Sequence, residues 1–268
     1  MRKIFNLLII FVVSIAMVGC SSLTNKFRAP STKYNDIRAT LVTTQGDINF
    51  YLYPEAAPLT VANFINLAKR GYYDNNKIHR AVENFVVQSG DPTGTGTGNP
   101  GYFMPDENVE WLDFFQPGML AMANAGPGTG GSQYFMTLYP AEWLNGKHTI
   151  FGEYISDSDF NKIKKLELGD VIKTIKFSGD VDLFLSLHKD QIDEWNKMLD
   201  QTYPGLKEYP IKPISEYGDE AAAYQEELRN IYTRNNEKET EKEWPIPRFI
   251  RAIERKIKGT SDEVETAE

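Results

Sequence analysis

From Arg38 the chain alternates apolar and polar positions. Ala39, Leu41 and Val42 precede Gln45-Gly46-Asp47, and Ile48, Phe50 and Leu52 then alternate with Asn49, Tyr51 and Tyr53. A period of two on both sides of a glycine-containing turn predicts a β-hairpin. After Pro54 and Pro58 the period changes. Val61, Phe64, Ile65 and Ala68 recur at helical spacing, with Thr60 placed to cap the start and Gly71 just past the end. Short strands are expected at Lys77–Val82, Phe85–Ser89, Met119–Asn124, Gln133–Leu138, Thr149–Tyr154 and Val171–Phe177, and a second helix over Asp157–Leu168. Residues 92–101 are rich in Gly, Thr and Pro and read as a loop. Many short strands with only two helices predict a closed antiparallel β-barrel with helical caps.

The character changes at Gly179-Asp180. Residues 181–268 carry helical periodicity without a strand signal: Phe184, Leu187, Ile192, Trp195 and Leu199 form one apolar stripe, and Pro204, Pro210 and Pro213 break it. Ala221–Tyr232 and Arg248–Lys258 are further helices by spacing, and the acidic, polar end reads as disordered. This α-helical extension is expected either to pack on the barrel or to bind clients and partners.

The N-terminus has the pattern of a targeting segment. Arg2-Lys3 precede an apolar run from Ile4 to Val18, broken by Asn6 and Ser14. The run is short for a membrane-spanning helix, which needs ~20 residues, and fits a secretory signal. It ends in Met17-Val18-Gly19-Cys20, followed by Ser21-Ser22, and resembles a bacterial lipoprotein cleavage box with Cys20 as the lipidated residue. The expected organisation is therefore a signal at 1–20, a polar tether at 21–35, a folded unit at 36–180 and the helical extension at 181–268. The expected location is the bacterial cell envelope, lipid-anchored on the periplasmic face. Ser21, rather than aspartate, leans towards the outer membrane.

Composition narrows the function. The formal net charge of −8 argues against nucleic acid as the main partner, because phosphate binding needs clustered Lys and Arg. Cys20 is the single cysteine, so no internal disulfide can form. His79, His148 and His188 have no metal spacing, and no serine sits on a nucleophile elbow. Gly126-Pro127-Gly128-Thr129-Gly130-Gly131 formally matches a dinucleotide fingerprint, but a strand rather than a helix is expected after it. What remains is Arg80 and several amide side chains among apolar residues, which suits binding and twisting a peptide. In isolation Arg80 reads as a solvated charge, and Phe85, Phe135 and Leu144 as core. Their joint pattern reverses that reading.

The motifs His79-Arg80, Phe85-x-x-Gln88-x-Gly90-Asp91, Gly94-Thr95-Gly96, Met122-Ala123-Asn124-Ala125-Gly126-Pro127, Gly131-Ser132-Gln133-Tyr134-Phe135 and Trp143-Leu144-Asn145-Gly146-Lys147-His148 resemble those of the cyclophilins, peptidyl-prolyl cis–trans isomerases, in order and spacing. The resemblance runs from about Arg38 to Phe177. It implies an eight-stranded barrel with two capping helices and no cofactor. It implies that Arg80 is catalytic and that Phe85, Val86, Phe135 and Leu144 line a proline pocket. His79, Gln88, Ala123, Asn124, Gln133, Trp143 and His148 would line the adjoining groove. Val86 stands where the family usually has methionine, which implies a shallower pocket. Gly128 and Gly130 stand in a loop where many relatives carry asparagine. The implied partners are proline-containing peptides, unfolded exported proteins and cyclosporin, the last through Trp143. The rival expectation is a proline-peptide-binding or holdase module that acts through the extension.

Overall fold

The computed structural model describes residues 37–240. The expected hairpin is β1 (Arg38–Thr43) paired with β2 (Gly46–Leu52). Its alternation buries Ala39, Leu41, Ile48, Phe50 and Leu52 on one face. Helix α1 (Pro58–Lys69) follows, with every residue from Thr60 to Ala68 buried. Thr60 lies inside this helix and does not cap it, because Pro58 already starts the first turn. The free amides of that turn are satisfied from a distance: the Glu107 carboxylate accepts from Leu59 N at 3.0 Å, and from Thr60 N and Thr60 Oγ1 at 2.7 Å.

The segment expected to be one strand over 77–82 divides in two. β3 (Asn76–Lys77) pairs with the late strand β9 (Val171–Ser178), whereas β4 (Arg80–Val82) pairs with β5 (Val86–Ser89). The remaining strands are β6 (Met119–Met122), β7 (Tyr134–Thr137) and β8 (Ile150–Tyr154). Among the described residues they form one antiparallel sheet of nine strands, where eight were expected, in the order β3-β9-β1-β2-β8-β6-β7-β5-β4. The two end strands are neighbours in sequence. A second helix, α2 (Asp157–Ile163), ends before the expected Leu168, and Leu168 is exposed. Its start is capped by Ser156 Oγ, which accepts from Asp159 N.

Beyond β9 the expected single apolar stripe is broken at His188 into α3 (Val181–Leu187) and α4 (Lys189–Thr202). Phe184, Ile192, Trp195 and Leu199 are buried, and Leu187 only partly. They join the same apolar core as Phe64, Tyr73 and Tyr134, so the first part of the extension packs on the sheet domain. Helix α5 (Asp219–Thr240) contains the expected 221–232 helix and adds Tyr224 to that core. The expected helix at 248–258, the acidic end, Cys20 with the leader, and the tether lie outside the described residues. Among those described, no helix is long and apolar enough to cross a membrane.

Candidate functional site

Strands β5 to β7 have both faces covered, β4 is exposed, and the alternation sorts the side chains. Val87, Leu120, Met122, Tyr134 and Met136 join the core under α1. Val86, Met119, Ala121 and Phe135 point to the opposite face, where Phe114, Ala141 and Ile150 complete a second apolar cluster. Phe85, Ala123 and Leu144 are partly exposed against it. The four residues implied for a proline pocket therefore meet in one place.

Register then delivers the polar side chains. Arg80 lies opposite Gln88, and Gln88 opposite Phe135, in one row across β4, β5 and β7. The turn between β4 and β5 is closed by Phe85 N donating to Val82 O at 3.1 Å, with Asn84 at φ 54°. Asparagine tolerates this left-handed backbone better than most residues. The turn sets the Phe85 ring beneath Arg80, whose Cζ lies 5.6 Å from the ring centroid.

A one-way chain of hydrogen bonds fixes the guanidinium. Arg80 Nη1 donates to Gln88 Oε1 at 3.2 Å, and Gln88 Nε2 donates to Gln133 Oε1 at 2.8 Å. Gln133 Nε2 in turn donates to the carbonyls of Gly96 and Gly98 at 2.9 and 3.0 Å. Both ends of each amide are therefore engaged within the protein. The loop that carries the two carbonyls is wound around Asp91. Its carboxylate accepts from the backbone amides of Thr93, Thr95, Gly96 and Gly98 at 2.7 to 3.1 Å. Burial alone would raise this carboxyl. The hydrogen bonds, led by that of the Thr93 hydroxyl, outweigh it and hold the group at about 2. Only glycine fits at 98, because a Cβ there would lie 2.0 Å from Asp91 Oδ1.

Around the cup, His148 Nδ1 donates to Met122 O at 3.0 Å and its ring meets Phe135 edge-on at 5.3 Å. Trp143 packs on Phe85 at 5.6 Å and is 60% exposed. Asn124 Nδ2 donates to Lys147 O at 2.7 Å and Asp106 Oδ1 at 3.3 Å, so this side chain pins the loop. His79 is half-buried beside Gly96, with Gln133 next to its ring. Burial lowers its imidazole below the ordinary value, against the pull of the Asp91 carboxylate, so it is neutral near pH 7. No group of His, Cys, Asp or Glu among the described residues is suited to a metal ion.

Sequence reasoning missed the wall built by residues 104–116. Phe114 is fully buried and stacks on Phe135 at 6.0 Å. Its amide donates to Asn145 Oδ1 at 2.8 Å, and its carbonyl accepts from Ala141 N at 2.8 Å. The signal was the density of Val109, Trp111, Leu112, Phe114 and Phe115 in a segment with no regular period.

Comparison with known proteins agrees with this geometry. The family model for cyclophilin type peptidyl-prolyl cis-trans isomerase/CLD matches residues 38–182. Peptidyl-prolyl cis-trans isomerase B of Bacillus subtilis is 48% identical over 132 residues, which is 49% of this chain and 91% of that protein. Peptidyl-prolyl cis-trans isomerase A of Mycobacterium tuberculosis is 46% identical over 154 residues, covering 52% and 81%. Among solved structures, a Cryptosporidium parvum cyclophilin type isomerase crystallised in the presence of the dipeptide Ala-Pro is 33% identical. It aligns with a TM-score of 0.50 over 53% of this chain and 99% of that one. With the curled antiparallel sheet, the apolar cup and a matched model spanning more than half its length, the chain belongs to the cyclophilin-type peptidyl-prolyl cis–trans isomerases.

Proposed function

We propose that Arg80 is the catalytic residue of this isomerase, acting above a cup formed by Phe85, Val86, Phe135 and Leu144. One observation carries the reading: a guanidinium held over Phe85 and hydrogen-bonded to Gln88 in the same strand row as Phe135.

A prolyl peptide bond crosses between isomers in tens to hundreds of seconds, against a barrier of ~18–20 kcal/mol that comes from amide resonance. No bond needs to break. As the amide twists, conjugation is lost and its nitrogen becomes a hydrogen-bond acceptor. A fixed cation aimed at that nitrogen stabilises the twisted form more than either planar form, and only that difference accelerates the reaction. Arginine suits the role because its charge is permanent and its fork is planar. Gln88 and Gln133 hold the fork in place before substrate arrives, so little reorganisation is needed. The apolar floor grips the proline ring, and burying such a ring contributes on the order of 1–3 kcal/mol. The main chain at Asn124, whose side chain ties the loop to Lys147 and Asp106, holds the peptide beside the ring.

The partner class follows: peptides with an accessible proline, in line with the Ala-Pro dipeptide of the Cryptosporidium crystal. Trp143, with its indole at the exposed rim, supports cyclosporin binding moderated by Val86. We read the curled sheet as a closed barrel. Segment 76–82 bonds β9 at one end and β5 at the other, and Ile78 N donates to Asp170 O while His79 N donates to Gln88 O. The isomerase unit is taken as 36–180 and the extension as 181–268. The leader pattern ending at Cys20 supports a lipid-anchored, exported isomerase that assists folding of other exported proteins. A holdase acting through α4 has less support, because Ile192, Trp195 and Leu199 are already buried against the domain.

Exchange NMR on a proline-containing tetrapeptide tests the central reading. Wild type at substoichiometric concentration is expected to broaden the cis and trans signals, and Arg80→Ala to leave them sharp. If both proteins left the peptide unchanged, the enzymatic reading would fail. Labelling with radioactive palmitate tests the anchor: incorporation is expected in wild type and absent in Cys20→Ser.

A further inference from the structure

The family model stops at residue 182, yet the helix beyond it is bonded into the loop behind the site. We infer that α4 is a positioning element for the isomerase: it fixes Gln133, and through it Gln88 and Arg80, although α4 belongs to the opposite apolar cluster. The inference rests on the reading of Arg80 given above.

Three routes converge on Gln133. In the first, the Trp195 indole stacks on the Tyr102 ring at 5.5 Å with the planes 7° apart. Tyr102 OH donates to Asn63 Oδ1 at 2.6 Å, and Asn63 Nδ2 donates to the Gly131 carbonyl at 2.8 Å. In the second, Tyr203, at the end of α4, donates its hydroxyl to the Asn99 carbonyl at 3.3 Å. Asn99 follows Gly98, one of the two residues whose carbonyls hold the Gln133 amide. In the third, the Tyr203 ring meets Tyr72 edge-on at 5.1 Å, and Tyr72 OH donates to Ser132 Oγ at 3.0 Å. Ser132 is the residue before Gln133, and its own hydroxyl donates to Gly90 O at 2.7 Å.

The helix is itself firmly held. Arg70, 4% exposed at the end of α1, donates to Asn196 Oδ1 and to the Lys207 carbonyl, both at 2.9 Å, and pairs with Asp200. It also approaches the loop closely: a Cβ on Gly101 would lie 2.4 Å from Thr202 Oγ1.

The loop needs such support. Its glycines at 94, 96, 98 and 101 give the backbone wide freedom and no side chains to pack. Asp91 ties down its start, and α4 ties down its far end. The Gln133 amide is only as fixed as the carbonyls it bonds, and Arg80 is only as fixed as Gln88. Misplacing a reacting group by about 1 Å can cost ~100-fold in rate, so slack in this chain is expected in kcat.

The test uses the full chain and three variants. Trp195→Ala removes the stack, Trp195→Phe restores a ring, and Tyr203→Phe removes one hydroxyl. Turnover of a proline tetrapeptide would give kcat and KM separately, and ¹⁵N spectra would follow the side-chain amides of Gln88 and Gln133. Trp195→Ala is expected to lower kcat about 10-fold with KM within about two-fold, and to shift or broaden the Gln133 amide signals. Tyr203→Phe is expected to lower kcat about three-fold, and Trp195→Phe to recover kcat to within about two-fold of wild type. Folded Trp195→Ala and Tyr203→Phe proteins with wild-type kcat and unmoved Gln133 signals would overturn the inference. Should Trp195→Ala not fold, Tyr203→Phe decides by the same two readouts. Inactivity of the wild type would defeat the reading of Arg80 instead, and the Gln133 signals in Tyr203→Phe would still judge the wiring.

Discussion

The face of the sheet that packs on α1 and the face that carries Arg80 are made from the same strands, in residue-by-residue alternation, yet they are finished differently. Beneath α1 the packing is complete. Phe64 meets Tyr73, Tyr134, Phe151 and Phe177, with ring centroids 5.1 to 6.0 Å away, and α3, α4 and α5 seal the periphery. On the other face Phe114 and residues 104–116 close only the sides. Phe85, Ala123 and Leu144 remain partly open, and Trp143 is mostly in solvent. One face stores stability and the other leaves a space of definite shape. The sheet separates the two apolar clusters, and the links from α4 to Gln133 are where the sealed side bears on the open one; the following experiments probe that relation.

The largest effect is expected from the sealed face. Phe64→Ala should cost about 3–5 kcal/mol of unfolding free energy, because four ring partners and a fully buried volume are lost. Urea denaturation measures the loss. Turnover per folded molecule should stay near wild type, and a matching collapse of kcat in the folded fraction would break the separation.

Acid should dismantle the sealed side first. Burial beside Phe184 lowers His188 from the usual 6.5 to about 4. Its stabilisation is complete above pH 6.5 and is lost as pH falls towards 4, since the unfolded chain takes up the proton first. The shift corresponds to at most about 3–4 kcal/mol, and His188→Asn should flatten this part of the stability profile. Asp91 acts in a lower window. Its folded value of about 2 lies below the usual 3.8, so its contribution is full above that and drains as pH falls to 2. Asp91→Asn should cost about 2 kcal/mol at pH 7 and remove the acid step. A profile flat from pH 7 to 2 in the wild type would contradict both assignments.

The smallest effect is at the open rim. Wild type should bind cyclosporin in a calorimeter, and Trp143→Phe should weaken binding by about 1 kcal/mol through loss of one indole hydrogen bond. Val86→Met should strengthen it by filling the floor. Absence of heat in every protein would exclude the drug from this cup.

These differences also explain how far the sequence could be read. The hairpin at 38–52 and helix α1 were plain because one period persisted through each. Arg80, Gln88 and Phe135 were legible as a set through motif spacing, and strand register is what aligns them. The split of 77–82 was not legible, since nothing local in Ile78-His79 marks a change of partner strand. The cap of α1 was misassigned because its acceptor, Glu107, lies far along the chain. Asn124 was expected to line the groove through its backbone, and what the spacing did not reveal is that its side chain bonds Lys147 and Asp106. The 104–116 wall has no period, since its residues follow the contour of the cup instead of a helix or strand. The links from Tyr203 and Trp195 to Gln133 depend wholly on how α4 packs, which a spacing argument does not reach.

The most direct measurement takes Arg80→Ala and wild type through two readouts on the same samples: prolyl exchange rate under saturating peptide, and free energy of unfolding. Because Arg80 is exposed, its removal should change stability by less than about 0.5 kcal/mol. The exchange rate should fall about 10²–10³-fold, the size seen when one group that stabilises a transition state is deleted. Equal exchange rates, or a loss of rate that merely follows a loss of folded protein, would contradict the claim that this side chain does the chemistry.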